Sequence, residues 1–163
     1  MSVLVDPVRS AGAALLQWIV FPLGQPISGG EQPLYIGIPI QRVQKVIPFS
    51  TVFSSGQTLA GIAHWQDQEI TIVDLHRWVF GIPLADPQYW VVIRHQHQEL
   101  WGIPIQSTPL LGQVAQDQVR ILPDSYREMD TLSMAKYVAQ VSTEEGLITA
   151  FQLDLGWHGS LRQ

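Results

Sequence analysis

Histidines are the side chains of this 163-residue chain whose spacing most directly suggests chemistry. In His95-Gln96-His97, two imidazoles would lie on the same face of an extended strand, as in a fragment of a metal site. A metal site needs three or four ligands, and the sequence does not place a third histidine or a carboxylate in an evident ligand position beside this pair. The stretch between Ile93 and Leu100 is therefore predicted to be an exposed hairpin tip.

A hydrolase triad is the other catalytic arrangement that these residue types permit. His64 and His76 flank the strand that ends at Asp74, and Ser54 or Ser55 would supply the nucleophile. The chain has no Gly-x-Ser-x-Gly elbow, and nothing in the sequence supplies an oxyanion hole. The alternative function, a small β-barrel hydrolase or metal-dependent enzyme, would use His64, Asp74, His95 or His97.

Two further features invite a catalytic or phosphate-binding interpretation. Asp74 and Asp154 end equivalent strands in the two halves of the chain, but an aspartate there also bonds backbone N–H groups or caps the next turn. The stretch Ser28-Gly29-Gly30 lacks the Lys-Ser/Thr pair and the strand-to-helix setting of a phosphate loop. We therefore predict no catalytic residue, no metal and no cofactor.

The overall charge excludes some classes of partner. A net charge of −5 and a sequence pI of about 5.4 argue against a surface that neutralises nucleic-acid phosphates or anionic lipid. Five-stranded barrels often bind oligonucleotides, so that function is a third hypothesis. Oligonucleotide binding requires a stripe of Lys and Arg with interleaved aromatic residues, and this chain has no such stripe. We therefore expect no nucleic-acid partner.

The apolar stretch Ala11–Leu23 is the one candidate for a membrane or targeting segment. It is shorter than the roughly 20 apolar residues of a spanning helix, and Gln17 and Pro22 interrupt it. The chain also contains no cysteine, which fits a reducing compartment. We expect a cytoplasmic protein without membrane insertion.

The elements that must position these side chains are predicted to be strands. β-branched and aromatic residues gather in short runs bounded by Gly, Pro, Asp and Ser, and no long amphipathic helical pattern separates them. Short helical pieces are predicted at Leu75–Phe80 and Gln116–Val119. The fold class is therefore all-β. The predicted strands are Trp18–Leu23, Leu34–Ile40, Leu59–His64, Glu69–Asp74, Tyr89–Arg94, Leu100–Ile105, Lys136–Val141 and Leu147–Leu153.

The pentapeptide GIPIQ occurs at Gly37–Gln41 and again at Gly102–Gln106. In each half it ends a strand, and a connection and a hairpin follow whose return strand ends in Asp-Leu. This order predicts two related β-lobes, with an approximate junction at 81–88. Residues 1–17 and 156–163 are predicted to be terminal segments outside the domain, which spans 18–155.

The chain contains six tryptophans, which we expect to divide between core and interface. Trp65 precedes the predicted hairpin turn, and strand alternation places it with Gly61 and Ala63, opposite Ile62 and His64. A core role is the better prediction for Trp65, because tryptophan tends to be buried.

Taken together, these stretches resemble the CheW-like family, the adaptor domain of bacterial chemosensory arrays that also occurs fused to the histidine kinase CheA. The resemblance runs from roughly Trp18 to Leu155 and rests on the order and spacing of its segments. They are Val20-Phe21-Pro22-Leu23-Gly24, Ile38–Ile47, Gly61-Ile62, Ile72-Val73-Asp74-Leu75, Tyr89–Ile93, Gly102–Ile105, Ile121-Leu122-Pro123 and Leu153-Asp154-Leu155.

The resemblance implies two small five-stranded β-barrels packed together, with a few short helical segments. It also implies a non-catalytic adaptor that couples a CheA-type histidine kinase to a methyl-accepting chemoreceptor-type protein. The pathway could be chemotaxis, phototaxis or pilus-based motility. The positions that match the family's partner contacts are Val43, Lys45, Val46, Gly61 and Gln66.

The chain departs from the family pattern at this predicted surface. The family commonly has Arg-Gly at the hairpin turn and Pro in the return strand, where this chain has Gln66-Asp67 and Thr71. A neutral amide replaces a planar group with five donors, so the partner contact is expected to differ. At the position of Lys45 an acidic residue is frequent in related adaptors, so the local charge is reversed.

Overall fold

The structure is a computed structural model, and it describes residues 14–26, 33–49, 53–54, 61–95, 98–127 and 135–153. The described residues form two six-stranded sheets, a helix α1 (Leu75–Phe80) and a single helical turn α2 (Asp124–Arg127). The predicted all-β, two-lobed fold is confirmed. The strands are β1 (Leu15–Pro26), β2 (Pro33–Pro39), β3 (Val43–Pro48), β4 (Phe53–Ser54), β5 (Ile62–Trp65), β6 (Gln68–Ile72), β7 (Tyr89–Arg94), β8 (Leu100–Ile105), β9 (Leu110–Ala115), β10 (Arg120–Ile121), β11 (Ala135–Thr143) and β12 (Gly146–Leu153).

The first lobe is built on the sheet β10-β11-β12-β2-β1-β9. Strand β9 also pairs with β11, through Ser142 opposite Gln113, so that five strands form a continuous ring. The second lobe is built on the sheet β3-β7-β8-β6-β5-β4. Both sheets need strands from distant parts of the sequence, because β12 pairs in parallel with β2 and β6 pairs in parallel with β8.

The chain passes from one lobe to the other at two places. The hairpin β1–β2 belongs to the first lobe, and the turn Ile40–Arg42 then leads into β3 of the second lobe. After the hairpin β7–β8 the chain returns through 106–109 to β9 of the first lobe. Residues 81–88, predicted as the junction, connect α1 to β7 within the second lobe, because the parallel pairing of β6 with β8 keeps both sides in one sheet.

Apolar side chains form three separate cores. One fills the interior of the first lobe around Trp18, Val20 and Val141, and one fills the second lobe around Trp90, Val92 and Ile70. The largest lies between the lobes. Its members come from both sheets and include Phe21, Leu23, Ile36, Ile38, Val91, Ile93, Ile103 and Ile105.

The two copies of GIPIQ occupy equivalent places in the two lobes. Trp18 and Val20 lie opposite Pro39 and Gly37, and Trp90 and Val92 lie opposite Pro104 and Gly102 in the same register. A Cβ atom on the glycine of the first copy would overlap the ring of Trp18. On the glycine of the second copy it would lie 3.0 Å from Cε3 of Trp90. The repeat therefore leaves room for one buried indole inside each lobe.

The predicted bounds of β7, β8 and α1 agree with the structure. Strands β3 and β9 were not among the predicted strands. Both are exposed along much of their length, so neither shows the apolar run of a buried strand. Several predicted features lie outside the described residues, namely Ser28-Gly29-Gly30, Ser55, His97, Asp154, Trp157, and residues 1–13 and 156–163 of the terminal segments. Leu15–Gln17, predicted to precede the domain, are part of β1 and pair with β9. Within the described ranges, no helix is long and apolar enough to cross a membrane.

Candidate functional site

Strand β3, which carries three of the predicted contact residues, lies at an edge of the second sheet and pairs only with β7 among the described strands. Its register shifts between Val43, which lies opposite Ile93, and Lys45, which lies opposite Val92. This is a β-bulge, and a bulge re-aims the side chains that follow it.

Val46 and Val43 differ in their access to solvent. Val46 lies opposite the buried Val91, yet it remains 36% exposed because β3 is at the edge of the sheet. Val43 is half-buried and packs against the core between the lobes. Of the two valines, Val46 therefore presents the larger apolar surface to a partner.

Lys45 lies over the indole of Trp65, with its Nζ atom 5.0 Å from the ring centroid. This cation–π contact joins β3 to the end of β5 in the second lobe. Trp65 is half-buried against the core of the second lobe, and Gly61 and Ala63, predicted to share its face, are buried. The ammonium group of Lys45 thus covers the exposed part of the indole.

The turn between β5 and β6 consists of Gln66 and Asp67, whose φ angles are 48° and 65°. Two residues with positive φ form the tight hairpin turn that matches the twist of its strands. Gln66 is exposed there, beside Trp65. Gly61, at the other end of β5, is buried, and its carbonyl accepts a hydrogen bond of 2.8 Å from the N–H of Ile72.

The structure therefore divides the five predicted contact residues. Lys45, Val46 and Gln66 are exposed on the second lobe, Val43 is half-buried, and Gly61 is buried. The contact between Lys45 and Trp65 brings the edge strand next to the hairpin that ends in Gln66. Strand β3 and this hairpin tip together form one surface, which we call the β3–hairpin surface.

A polar groove of about 500 Å³ opens beside this surface. Arg94 lies in it and donates hydrogen bonds of 3.0 Å to Gln44 Oε1 and 2.9 Å to Gln98 Oε1. Glu69 and Glu99 also line it. Sequence reasoning missed this groove, and no signal could have found it, because Gln44 and Arg94 stand 50 residues apart.

Among the described residues of the alternative enzyme hypothesis, Asp74 and His64 make separate contacts. The two carboxylate oxygens of Asp74 accept hydrogen bonds from the backbone N–H groups of Arg77, at 3.2 Å, and Leu84, at 3.0 Å. Asp74 is thus the N-cap of α1, as predicted. His64 is exposed and lies 3.9 Å from Glu69. In the described part of the chain, no three histidine or acidic side chains are placed to hold a metal ion.

His95, the described member of the histidine pair, stacks on an aromatic side chain. Its ring lies 3.8 Å from the ring of Trp101, with an interplanar angle of 8°. Trp101 in turn meets Trp78 of α1 edge to face at 6.3 Å. These three rings join the hairpin β7–β8 to the helix, which is a packing role.

The sequence profile of the CheW-like domain matches residues 27–149. This chain belongs to the CheW-like domain family. The match contains β2 to β11, and therefore strands of both lobes of this CheW-like domain. Strand β1, which carries Trp18, lies before the matched residues, although the structure places it in the first barrel between β2 and β9.

Solved structures share the fold of this CheW-like domain. The scaffolding protein CheW from Thermoanaerobacter tengcongensis is similar over 87% of this chain and 86% of its own, with a TM-score of 0.61 and 15% sequence identity. A comparison with curated proteins finds no match. The predicted membership of the family is confirmed.

Proposed function

We propose that this CheW-like domain is a non-catalytic adaptor that couples a CheA-type histidine kinase to a chemoreceptor in a chemosensory pathway. Its family and the scaffolding role of its structural relative in Thermoanaerobacter tengcongensis support the proposal. The observation that carries it is the β3–hairpin surface, where an edge strand with an exposed valine lies beside an ammonium group held over an indole.

The chemistry of this surface suits protein binding. An edge strand offers unpaired backbone N–H and C=O groups to a partner strand. Val46 supplies apolar area, and Lys45 supplies a positive charge at a position fixed by Trp65. Gln66 adds an amide that both donates and accepts hydrogen bonds. In this arrangement Val46 contributes binding free energy, and Lys45 and Gln66 select the partner.

Signal transfer requires no chemistry within this domain. An adaptor that binds kinase and receptor together shifts the kinase between two states by the difference in its binding free energy for those states. The polar groove around Arg94 lies beside the β3–hairpin surface, so a partner bound to that surface would lie next to the groove.

Calorimetric titration with the regulatory domain of a CheA-type kinase from the same genome tests the proposal. We expect a micromolar Kd for the wild-type domain and an affinity at least tenfold lower for Val46→Asp. Burying an unpaired carboxylate in the interface makes the binding free energy less favourable by more than about 1.4 kcal/mol, which corresponds to that tenfold change. The matched control is Ile121→Asp, which adds the same charge at an exposed apolar residue of the first lobe. Equal losses in both variants, or no binding by the wild type, would overturn the proposal.

A further inference from the structure

The polar groove beside the β3–hairpin surface is rich in hydrogen-bond donors around Arg94. The two terminal nitrogens of Arg94 donate to Gln44 Oε1 at 3.0 Å and to Gln98 Oε1 at 2.9 Å. A guanidinium carries five N–H donors, so further donors remain on both terminal nitrogens. The NH2 groups of the two glutamines make no hydrogen bond in the described part of the chain. This part of the groove therefore offers a positive charge and several donors to a partner.

The charge of Arg94 is not neutralised by the carboxylates of the groove. Glu69 and Glu99 line the same groove, yet neither forms an ion pair with Arg94 among the described residues. Glu99 instead accepts a hydrogen bond of 3.2 Å from the hydroxyl of Thr71, and Glu69 lies 3.9 Å from His64. The hydrogen-bond partners of the guanidinium are neutral amides, which hold it in place and leave its charge to pair with a carboxylate from outside.

The groove is continuous with the surface that we propose to bind the kinase. Gln44 precedes Lys45 on β3. Gln68, which also lines the groove, lies opposite Trp65, the indole that Lys45 covers. A protein docked on the β3–hairpin surface therefore reaches the groove with its own side chains. The two glutamates of the groove disfavour a free polyanion or a nucleic-acid strand, because either would bring several negative charges close to them.

We infer that Arg94 recognises a single carboxylate, an aspartate or glutamate side chain of the kinase domain that binds the β3–hairpin surface. The fork of a guanidinium matches a carboxylate through two parallel N–H···O bonds, and the NH2 groups of Gln44 and Gln98 can add further bonds. The inference rests on the proposed function and adds a specificity residue to it. Gln44 and Gln98 are positioning residues, because they act by orienting Arg94.

Calorimetric titration with the same kinase regulatory domain tests the inference through Arg94→Glu. This variant places a negative charge opposite the carboxylate of the partner, and we expect an affinity at least tenfold lower than that of the wild type. The matched control is Arg120→Glu, which makes the same change at an exposed residue of the first lobe and should bind like the wild type.

Charge reversal on the partner separates recognition from a merely structural role of Arg94. The exposed acidic residues of the kinase domain are changed to lysine one at a time. One of these changes should weaken binding of the wild type and restore binding of Arg94→Glu, because it re-creates an opposite pair with the charges exchanged. A loss of local structure in Arg94→Glu would not be restored by any change in the partner.

The outcomes separate this inference from the proposed function. Wild-type binding that Val46→Asp weakens and Arg94→Glu leaves unchanged overturns the inference alone. An equal loss in Arg120→Glu, or a loss in Arg94→Glu that no lysine change in the kinase domain restores, overturns it as well. A wild type that does not bind the kinase domain overturns both the proposed function and the inference.

Discussion

Replacing the glycine of the second GIPIQ copy, Gly102→Ala, tests whether the repeat exists to make room for a buried indole. The new methyl carbon would lie 2.8 Å from Ile70 Cγ2 and 3.0 Å from Trp90 Cε3. Carbon atoms pack best at roughly 3.5–4.0 Å, so both neighbours must move by about half an ångström or more. Trp90 cannot move freely, because its ring stacks on Phe49 at 4.7 Å and its N–H donates to the Phe49 carbonyl at 3.2 Å.

The expected effect of Gly102→Ala is a loss of stability. Overpacking of a buried site costs about 1–3 kcal/mol, and the lower entropy of the unfolded alanine chain offsets about 0.4–1 kcal/mol. We expect the free energy of unfolding to fall by about 1–2 kcal/mol with an unchanged m-value in urea. For a chain of this length the melting temperature would fall by about 2–8 °C.

A double-mutant cycle with Ile70→Ala identifies the cause. Ile70→Ala removes Cγ2 and opens space on one side of the new methyl group, so Gly102→Ala should cost less in that background, where only the contact with Trp90 remains. Gly37→Ala in the first copy should destabilise at least as strongly, because its methyl group would overlap Trp18. A change below about 0.5 kcal/mol, or equal effects of Gly102→Ala in both backgrounds, would refute the packing argument.

Two further predictions concern the ends of local elements. Asp74→Ala leaves the N–H groups of Arg77 and Leu84 without their acceptor and should lower the free energy of unfolding by about 1–2 kcal/mol in urea titrations. Asp74→Asn keeps one acceptor oxygen and should lose less than Asp74→Ala; equal losses would contradict a capping role. The double change Gln66→Asn and Asp67→Gly supplies the residues that prefer positive φ at both turn positions, and it should raise the melting temperature by about 1–4 °C in a calorimetric scan; a lower value would mean that the native side chains stabilise the turn.

The exposed face of β3 shows where sequence reasoning reached its limit at the candidate site. Strand alternation correctly grouped Trp65 with the buried Ala63, opposite the exposed Ile62 and His64, because alternation is a local property of an extended backbone. Alternation could not show that Lys45 covers Trp65, or that Gly61 is buried while Val46 is exposed. Those facts depend on which strand lies at the edge of the sheet, and the edge is set by pairing between distant strands.

The sequence alone determined the local elements and the family of this protein. Runs of β-branched residues, the cap at Asp74 and the repeated GIPIQ are all short-range signals, and their order along the chain indicates a CheW-like domain. The tertiary structure alone decided that the chain passes to the other lobe after each copy of the repeat. It also decided that each copy leaves room for an indole that stands earlier in the chain. The physical reason is that parallel pairing and core packing join residues far apart in sequence. Local propensity depends on neighbouring residues and therefore does not predict such contacts.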